Sequence, residues 1–389
     1  MFFPSVPVPL SGDRFHVTYH IRTDDGLAGA RQAALDAAYE QTVELPGSLV
    51  PDGDMQDVVG HIEHIEPLDD GYYEVVISYP VEASGFELTG LLSVVYGNIS
   101  MQDRIRVIRF DLPPSLLEKF SGPRFGREGL RALVGAPDRP LLGTALKPMG
   151  FPADKLAELA YQFALGGLDI VKDDHSLANQ PTAPFDRRLE ACAAAVRRAN
   201  EETGGSTLYV PNITGPADQV LKRALLAKEL GAGGIEVIAG LVGFDTIRLL
   251  AEDPRINLPI FAHPAMLGTY TLSRDHGFAL GALYGEVNRI AGADVAICTN
   301  YGGRFPTTRE DIAQLRELIS RPMGHIRPML PMPGGGMTVE RVPEILEFYG
   351  NDVILLISGG LFTMGPDLVE NCRRFREVVE STAQPTRDA

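Results

Sequence analysis

From about residue 136 onward the chain repeats one unit eight times: a short apolar, β-branched run, then a longer stretch of helical periodicity. The runs fall at 140–146, 168–172, 207–212, 235–238, 258–262, 295–298, 326–332 and 353–357. Between and after them lie amphipathic segments at 154–165, 187–202, 217–230, 278–290, 309–319, 339–348 and 367–379, with a shorter one at 245–251. Strands that are apolar on both faces must be covered on both, which is the condition of a buried parallel sheet. Eight such units in roughly 250 residues predict a (β/α)8 TIM barrel. A doubly wound sheet needs fewer strands and usually an early Gly-x-Gly-x-x-Gly turn, which is absent.

The first 135 residues follow a different order: a strand at 15–21, an Ala-rich helix at 29–41, strands near 60–65 and 72–78, and a helix around 89–95. This order predicts a separate α+β domain of ferredoxin-like type over 1–135, followed by the barrel over 136–389. The charged, proline-containing stretch 113–137 reads as the link, and the polar tail 381–389 as a frayed end.

Composition narrows the function classes. A chain of 389 residues with 44% hydrophobic content supports two packed cores, and a net charge of −16 with no long basic run argues against nucleic-acid or anionic-membrane partners. Three cysteines, Cys192, Cys298 and Cys372, are too few and too scattered for a disulfide framework. Met1-Phe2-Phe3-Pro4 lacks a charged leader, and no run of 18 apolar residues occurs. A cytoplasmic enzyme is the expectation.

In such barrels the reactive groups stand where strands end and βα loops begin. Lys172-Asp173-Asp174-His175 closes the second run, and strand alternation sends Lys172 and Asp174 to the same side. A carboxylate with an imidazole suits a divalent metal, and a lysine joins them only as an anionic carbamate formed with CO₂; the alternative is a solvated acidic loop with a lysine counter-ion. Lys147 ends the first run, where a neighbouring cation or metal would fit it for proton transfer, although a lone lysine there is more often a surface residue. His263 ends the fifth run and reads as structural or catalytic. Gly334-Gly335-Gly336 and Ser358-Gly359-Gly360 follow the seventh and eighth runs, where barrels often bind phosphate through converging backbone N–H groups; two tight turns are the alternative.

In order along the chain, these pieces resemble the RuBisCO superfamily. The resemblance is carried by Gly97-Asn98, Gly143-Thr144-x-x-Lys147-Pro148, Gly166-Gly167-Leu168-Asp169-x-x-Lys172-Asp173-Asp174 with downstream Gln180-Pro181, His263-x-Ala265-Met266 and the two glycine clusters. It implies a carbamylated Lys172, Asp174 as a ligand of Mg²⁺, Lys147 as the proton-handling lysine, and a homodimer or larger assembly in which Glu40 and Asn98 reach a partner's active site. It also implies phosphate held by Gly335, Gly336, Gly359 and Gly360. Departures point away from CO₂ fixation. His175 replaces a glutamate ligand, Met149 replaces a second lysine, and the loop Asn300-Tyr301-Gly302-Gly303-Arg304-Phe305 lacks the CO₂-positioning lysine, leaving Arg304 for a substrate anion. A second phosphate site is reduced to Pro264, Asn300 and Gly334.

The resemblance therefore implies a RuBisCO-like enzyme that forms an enolate or carbanion on a phosphorylated sugar-derived substrate. Decarboxylation or transcarboxylation of a phosphorylated 3-oxo acid is favoured, because Asn98 stands where methionine-salvage enolases carry a lysine. Enolisation or isomerisation of methylthioribose-derived phosphates is the alternative, and a non-catalytic phosphometabolite binder is the rival from another class.

Overall fold

The computed structural model describes residues 6–383. The Met1-Phe2-Phe3-Pro4 start and the end of the polar tail lie outside them, while the last helix continues to Thr382, past the point where fraying was expected.

The N-terminal part is a five-stranded sheet in the order β10-β4-β1-β3-β2, with β1 Arg14–Arg22, β2 His61–Pro67, β3 Tyr72–Pro80, β4 Ile105–Asp111 and β10 Gly277–Phe278. The first four strands pair antiparallel in the 4-1-3-2 order of a ferredoxin-like domain. Alternation is clean on β1, where Phe15, Val17, Tyr19 and Ile21 are buried, and the sheet carries the helices Gly26–Glu40 and Leu88–Tyr96. Two strands escape the sequence pattern. β4 is interrupted by Arg106 and Arg109, and β10 comes from the barrel half, pairing parallel with β4 through Gly277↔Arg106 and Phe278↔Val107.

The C-terminal part is the expected barrel: β5 Leu141–Leu146, β6 Ile170–Asp173, β7 Leu208–Val210, β8 Ile235–Val237, β9 Ile260–Ala262, β11 Val295–Thr299, β12 Leu330–Gly334 and β13 Ile354–Leu356. Parallel ladders join β13-β5-β6-β7 and β8-β9-β11-β12. The Asn212↔Glu236 bridge closes one seam, and β12 packs beside β13 at the other. Leu141, Ile170, Val210, Phe261 and Ile354, with Val295 and Ile297 from β11 and Leu330 and Met332 from β12, fill the interior.

The stretch 113–137 is more than a link. It contains the helix Gly126–Val134, whose Leu130 and Val134 close the barrel floor. Buried Asp294 fixes that helix by accepting from the N–H groups of Phe125 at 2.8 Å and Gly126 at 2.6 Å. The segment 278–290 also differs from a plain helix: after β10 it becomes a π-helical turn, Gly281–Val287, continuing into Asn288–Ala291. Gly281 permits this close packing, because a Cβ there would stand 3.0 Å from the backbone of Gln314. Within the turn, buried Glu286 accepts from the Phe110 N–H and pairs with Arg321, which also binds Asp111 at 2.5 Å, tying the two halves together.

Candidate functional site

Strand β6 delivers the charged run to the barrel mouth. Ile170 and Val171 are fully buried, and the two-residue alternation then divides the following residues. Lys172, Asp174 and His175 face a cavity of about 1460 Å³ above the barrel. Asp173 turns away, entirely buried, and accepts from Arg188 Nε at 3.0 Å, Tyr209 Oη at 2.9 Å and the Asn212 N–H at 3.0 Å. Three donors on one carboxylate satisfy its buried charge and brace the strand end.

Lys172 is 1% exposed and lies 2.5 Å from Oε2 of Glu236, which is 0% exposed on β8. It also donates to the Asp173 carbonyl at 2.6 Å. The Glu236 oxygens are close to the ammonium, yet neither has a hydrogen-bond partner of good geometry. Burial pushes the Glu236 carboxyl up to about 7, against the pull of Lys172. Glu236 was not singled out from the sequence; its signal was one carboxylate inside the apolar run Gly234-Ile235-Glu236-Val237-Ile238.

Lys147 Nζ, at the end of β5, is 3.1 Å from Asp174 Oδ1, and His175 Nδ1 is 3.6 Å from the same oxygen. Burial alone would raise the Asp174 carboxyl; the neighbouring His175 ring and the charges of Lys147 and Lys172 hold it far below the usual carboxylate range. His263, beyond β9, stacks on His175 with ring centres 4.4 Å apart. Its Nδ1 accepts from the Ala265 N–H at 3.1 Å, which assigns the proton of the neutral ring to Nε2. Burial, then the charge of Lys172, holds the imidazole well below its ordinary pKa. Lys147, Lys172, Asp174, His175 and His263 therefore share one cluster.

Across the cavity the loops after β12 and β13 meet. Gly335 and Gly336 have φ of +89° and +108°, and a Cβ at Gly336 would stand 3.3 Å from Gly303 Cα. The Gly335 carbonyl accepts from the Arg304 N–H at 3.2 Å, so the loop after β11 runs alongside. Gly359 and Gly360 line the same wall; a Cβ on Gly359 would meet nothing within 4 Å. Arg304 is exposed at the cavity wall with its guanidinium 5.1 Å from the Phe305 ring centre. Asn300 points into the core, accepting from Tyr349 Oη at 3.3 Å.

Glu40 and Asn98 lie outside this cavity within one chain. Asn98 Nδ2 donates to Glu40 Oε1 at 2.9 Å, and both are partly exposed.

As for a metal, no group of three His, Cys, Asp or Glu side chains among the described residues is arranged to hold an ion. Asp174 and His175 supply two donors; a third anionic donor requires conversion of Lys172. The two Glu236 oxygens, paired by charge with that lysine but without a well-formed hydrogen bond, leave acceptor capacity unused, which fits a further cationic group in the cluster. All three cysteines are buried thiols, and among the described residues no helix is long and apolar enough to cross a membrane.

Residues 127–369 match the model of the ribulose bisphosphate carboxylase large chain, catalytic domain. A ribulose bisphosphate carboxylase-like protein 1 of Rhodopseudomonas palustris is 36% identical over 96% of this chain and 99% of its own. A 5-methylthioribulose-1-phosphate isomerase of Rhodospirillum rubrum is 38% identical over 95% and 97%. A 2,3-diketo-5-methylthiopentyl-1-phosphate enolase of Bacillus pumilus is 30% identical over 94% and 91%. Among solved structures, the Rubisco-like protein of Rhodopseudomonas palustris superposes with a TM-score of 0.87 at 36% identity, covering 96% of this chain and 99% of that one. A dimeric archaeal Rubisco from Hyperthermus butylicus gives 0.85 at 27% identity, covering 95% and 90%. With its catalytic-domain match, its full-length relatives and a barrel mouth carrying the Lys-Asp-Asp run, the chain belongs to the RuBisCO large-chain family, among its RuBisCO-like members.

Proposed function

We propose that this chain is a Mg²⁺-dependent enzyme that moves a proton on a phosphorylated, sugar-derived substrate through an enolate, and that it does so as an isomerase or enolase of methylthio-sugar phosphates. The observation that carries the proposal is the juxtaposition of Lys147 and Asp174 at 3.1 Å, beside Lys172 and His175 on one side of a cavity whose other wall is glycine. Relatives named as a 5-methylthioribulose-1-phosphate isomerase and a 2,3-diketo-5-methylthiopentyl-1-phosphate enolase support the substrate class. Apolar Met266, Leu272 and Leu280 line the cavity and suit a thioether tail.

In this reading Lys172, as a CO₂-derived carbamate, would hold the Mg²⁺ with Asp174 and His175. A divalent ion bound there stabilises negative charge on a substrate oxygen. Lys147, at the end of β5 beside the cavity, takes or returns the proton at the substrate carbon from Nζ. His263, neutral with Nε2–H available, donates to a substrate hydroxyl or carbonyl. Gly335, Gly336, Gly359 and Gly360 bind one phosphate through backbone N–H groups. Glu40 and Asn98 act across a homodimer interface, consistent with their position outside their own chain's cavity.

A second reading, decarboxylation of a phosphorylated 3-oxo acid, draws on Arg304, which stands at the cavity wall with no carboxylate within 4 Å among the described residues. The test is NMR of 5-methylthioribulose 1-phosphate with the full-length protein, Mg²⁺ and bicarbonate in D₂O. Deuterium entry next to the carbonyl, lost in Lys147→Met, is the expected result. A substrate that stays unlabelled while a 3-oxo acid phosphate releases CO₂ would replace this reading with the second.

A further inference from the structure

The cavity does not end at the strand mouths. It extends toward the N-terminal sheet, where its wall includes His20 of β1, Tyr72 at the start of β3, Arg106 of β4 and Arg274 just before β10. Arg106 is partly buried, and its Nε is buried with no hydrogen-bond partner. Among the described residues its one hydrogen bond is a long one, from Nη2 to the Thr271 carbonyl at 3.5 Å. Arg274 stands 6.0 Å from the Tyr72 ring centre. Among the described residues neither arginine has a carboxylate within 4 Å, although the chain has 51 acidic residues against 35 basic ones.

The acidic groups nearby are engaged elsewhere or unpaired with either arginine. Asp311, whose charge reaches Arg106, spends its carboxylate on the Thr308 N–H at 3.0 Å and Thr308 Oγ1 at 2.9 Å. Asp275 accepts from Tyr72 Oη and pairs with Arg22 at 3.2 Å, and Glu74 faces His20 at 3.9 Å. Asp69 and Asp70 also line this wall without pairing to either arginine. Two guanidinium groups close enough to repel, one of them desolvated and short of acceptors, are costly unless an anion completes them. A guanidinium offers a planar fork that fits the two oxygens of a carboxylate or phosphate.

We propose that this arm at the junction of sheet and barrel is a second anion site, separate from the glycine corner, taking a small-molecule oxyanion, either carboxylate or phosphate. Arg106 supplies the buried donor and Arg274 the second cation, with Tyr72 as the platform beneath it. The site stands whether or not the proton-transfer reaction proposed above is correct. Its occupant is either a free anion or the far end of a substrate with two anionic groups.

Calorimetric titration of the full-length protein with inorganic phosphate tests the site. Wild type should bind two phosphates per chain. Arg106→Met and Arg274→Met should each weaken one of them roughly tenfold or more and leave the other unchanged. Gly359→Val should have the opposite selectivity. Arg106→Lys keeps the charge without the fork and should fall between; it and Arg274→Met carry the test if Arg106→Met fails to fold. Repeating the titration with a saturating sugar monophosphate distinguishes the sources: retained phosphate binding marks a free anion, whereas loss of binding together with tenfold tighter ketose bisphosphate binding that Arg106→Met abolishes marks the substrate's second end. One phosphate per chain, or two that ignore both arginine substitutions, would overturn the proposal.

Discussion

At the scale of the residue, the site is governed by how its charges are paired. Lys172 and Glu236 are nearly or fully excluded from solvent and stand 2.5 Å apart, so each is the other's charge partner. Glu236→Met leaves an ammonium without its anion and Lys172→Met a carboxylate without its cation, and the expected cost of each is about 3–5 kcal/mol. Replacing both by methionine restores most of that loss, since apolar pairs of similar volume serve as well as a buried ion pair. Urea denaturation of the two singles and the double measures this; additive losses in the double would contradict the pairing. The same residues explain what was legible. Lys172, Asp174 and Lys147 could be found because ionisable groups at the end of an apolar strand are conspicuous. Glu236 was overlooked because it lies inside its strand, where only the closed barrel brings it beside Lys172.

His263 supplies a prediction with a definite sign. Its folded-state pKa is depressed by burial and neighbouring cations, whereas in the unfolded chain it stays near 6.5. The unfolded state therefore binds the extra proton first, so the contribution of His263 is present above pH ~6.5 and is lost as pH falls below it, at up to about 1.4 kcal/mol per pH unit. Comparing urea midpoints at pH 7.5 and 5.5 should show a smaller acid-side loss in His263→Asn than in wild type. Equal losses would show that the ring is free to protonate in place.

At the scale of the element, the eight barrel strands were readable because a fully buried parallel strand writes an uninterrupted apolar run, as in Ile170-Val171 or Ile354-Leu355. The elements that were missed have mixed environments. β4 alternates with arginines, β10 is two residues long and pairs with a strand far away in sequence, and the floor helix Gly126–Val134 lies in a proline- and charge-rich stretch. β12 begins later than the pattern indicated because Arg327 and Pro328 precede it. The loops after β12 and β13 carry their own test. Gly360 has no room for a side chain, with the Met337 carbonyl 2.9 Å from its would-be Cβ, but Gly359 opens onto the cavity. Gly359→Val should thus fold normally and weaken sugar monophosphate binding by tenfold to a hundredfold, equivalent to one charge-assisted hydrogen bond of about 1.5–3 kcal/mol. Unchanged affinity would remove the glycine corner from the phosphate site.

At the scale of the whole molecule, the two halves form one functional unit. The sheet recruits β10 from the barrel sequence, Arg321 and Glu286 bind the halves together, and the cavity is walled by both. Fold class was legible because repeated βα units leave few alternatives. The shared cavity was not, since it depends on residues such as Arg106 and Arg274, which are 168 positions apart and meet only after folding. The absence of a lysine in the loop 300–305 leaves the developing carboxylate of a CO₂ adduct without a partner, so enolate formation without carboxylation is the expected chemistry. The most direct test incubates the full-length protein with Mg²⁺, labelled bicarbonate and a panel of ketose phosphates in D₂O, and follows carbon-bound deuterium and acid-stable label together. Mg²⁺-dependent deuterium entry that Asp174→Ala and Lys147→Met abolish, with no acid-stable label, is the expected result; label fixed into product, or deuterium exchange indifferent to both substitutions, would contradict enolate formation at this site.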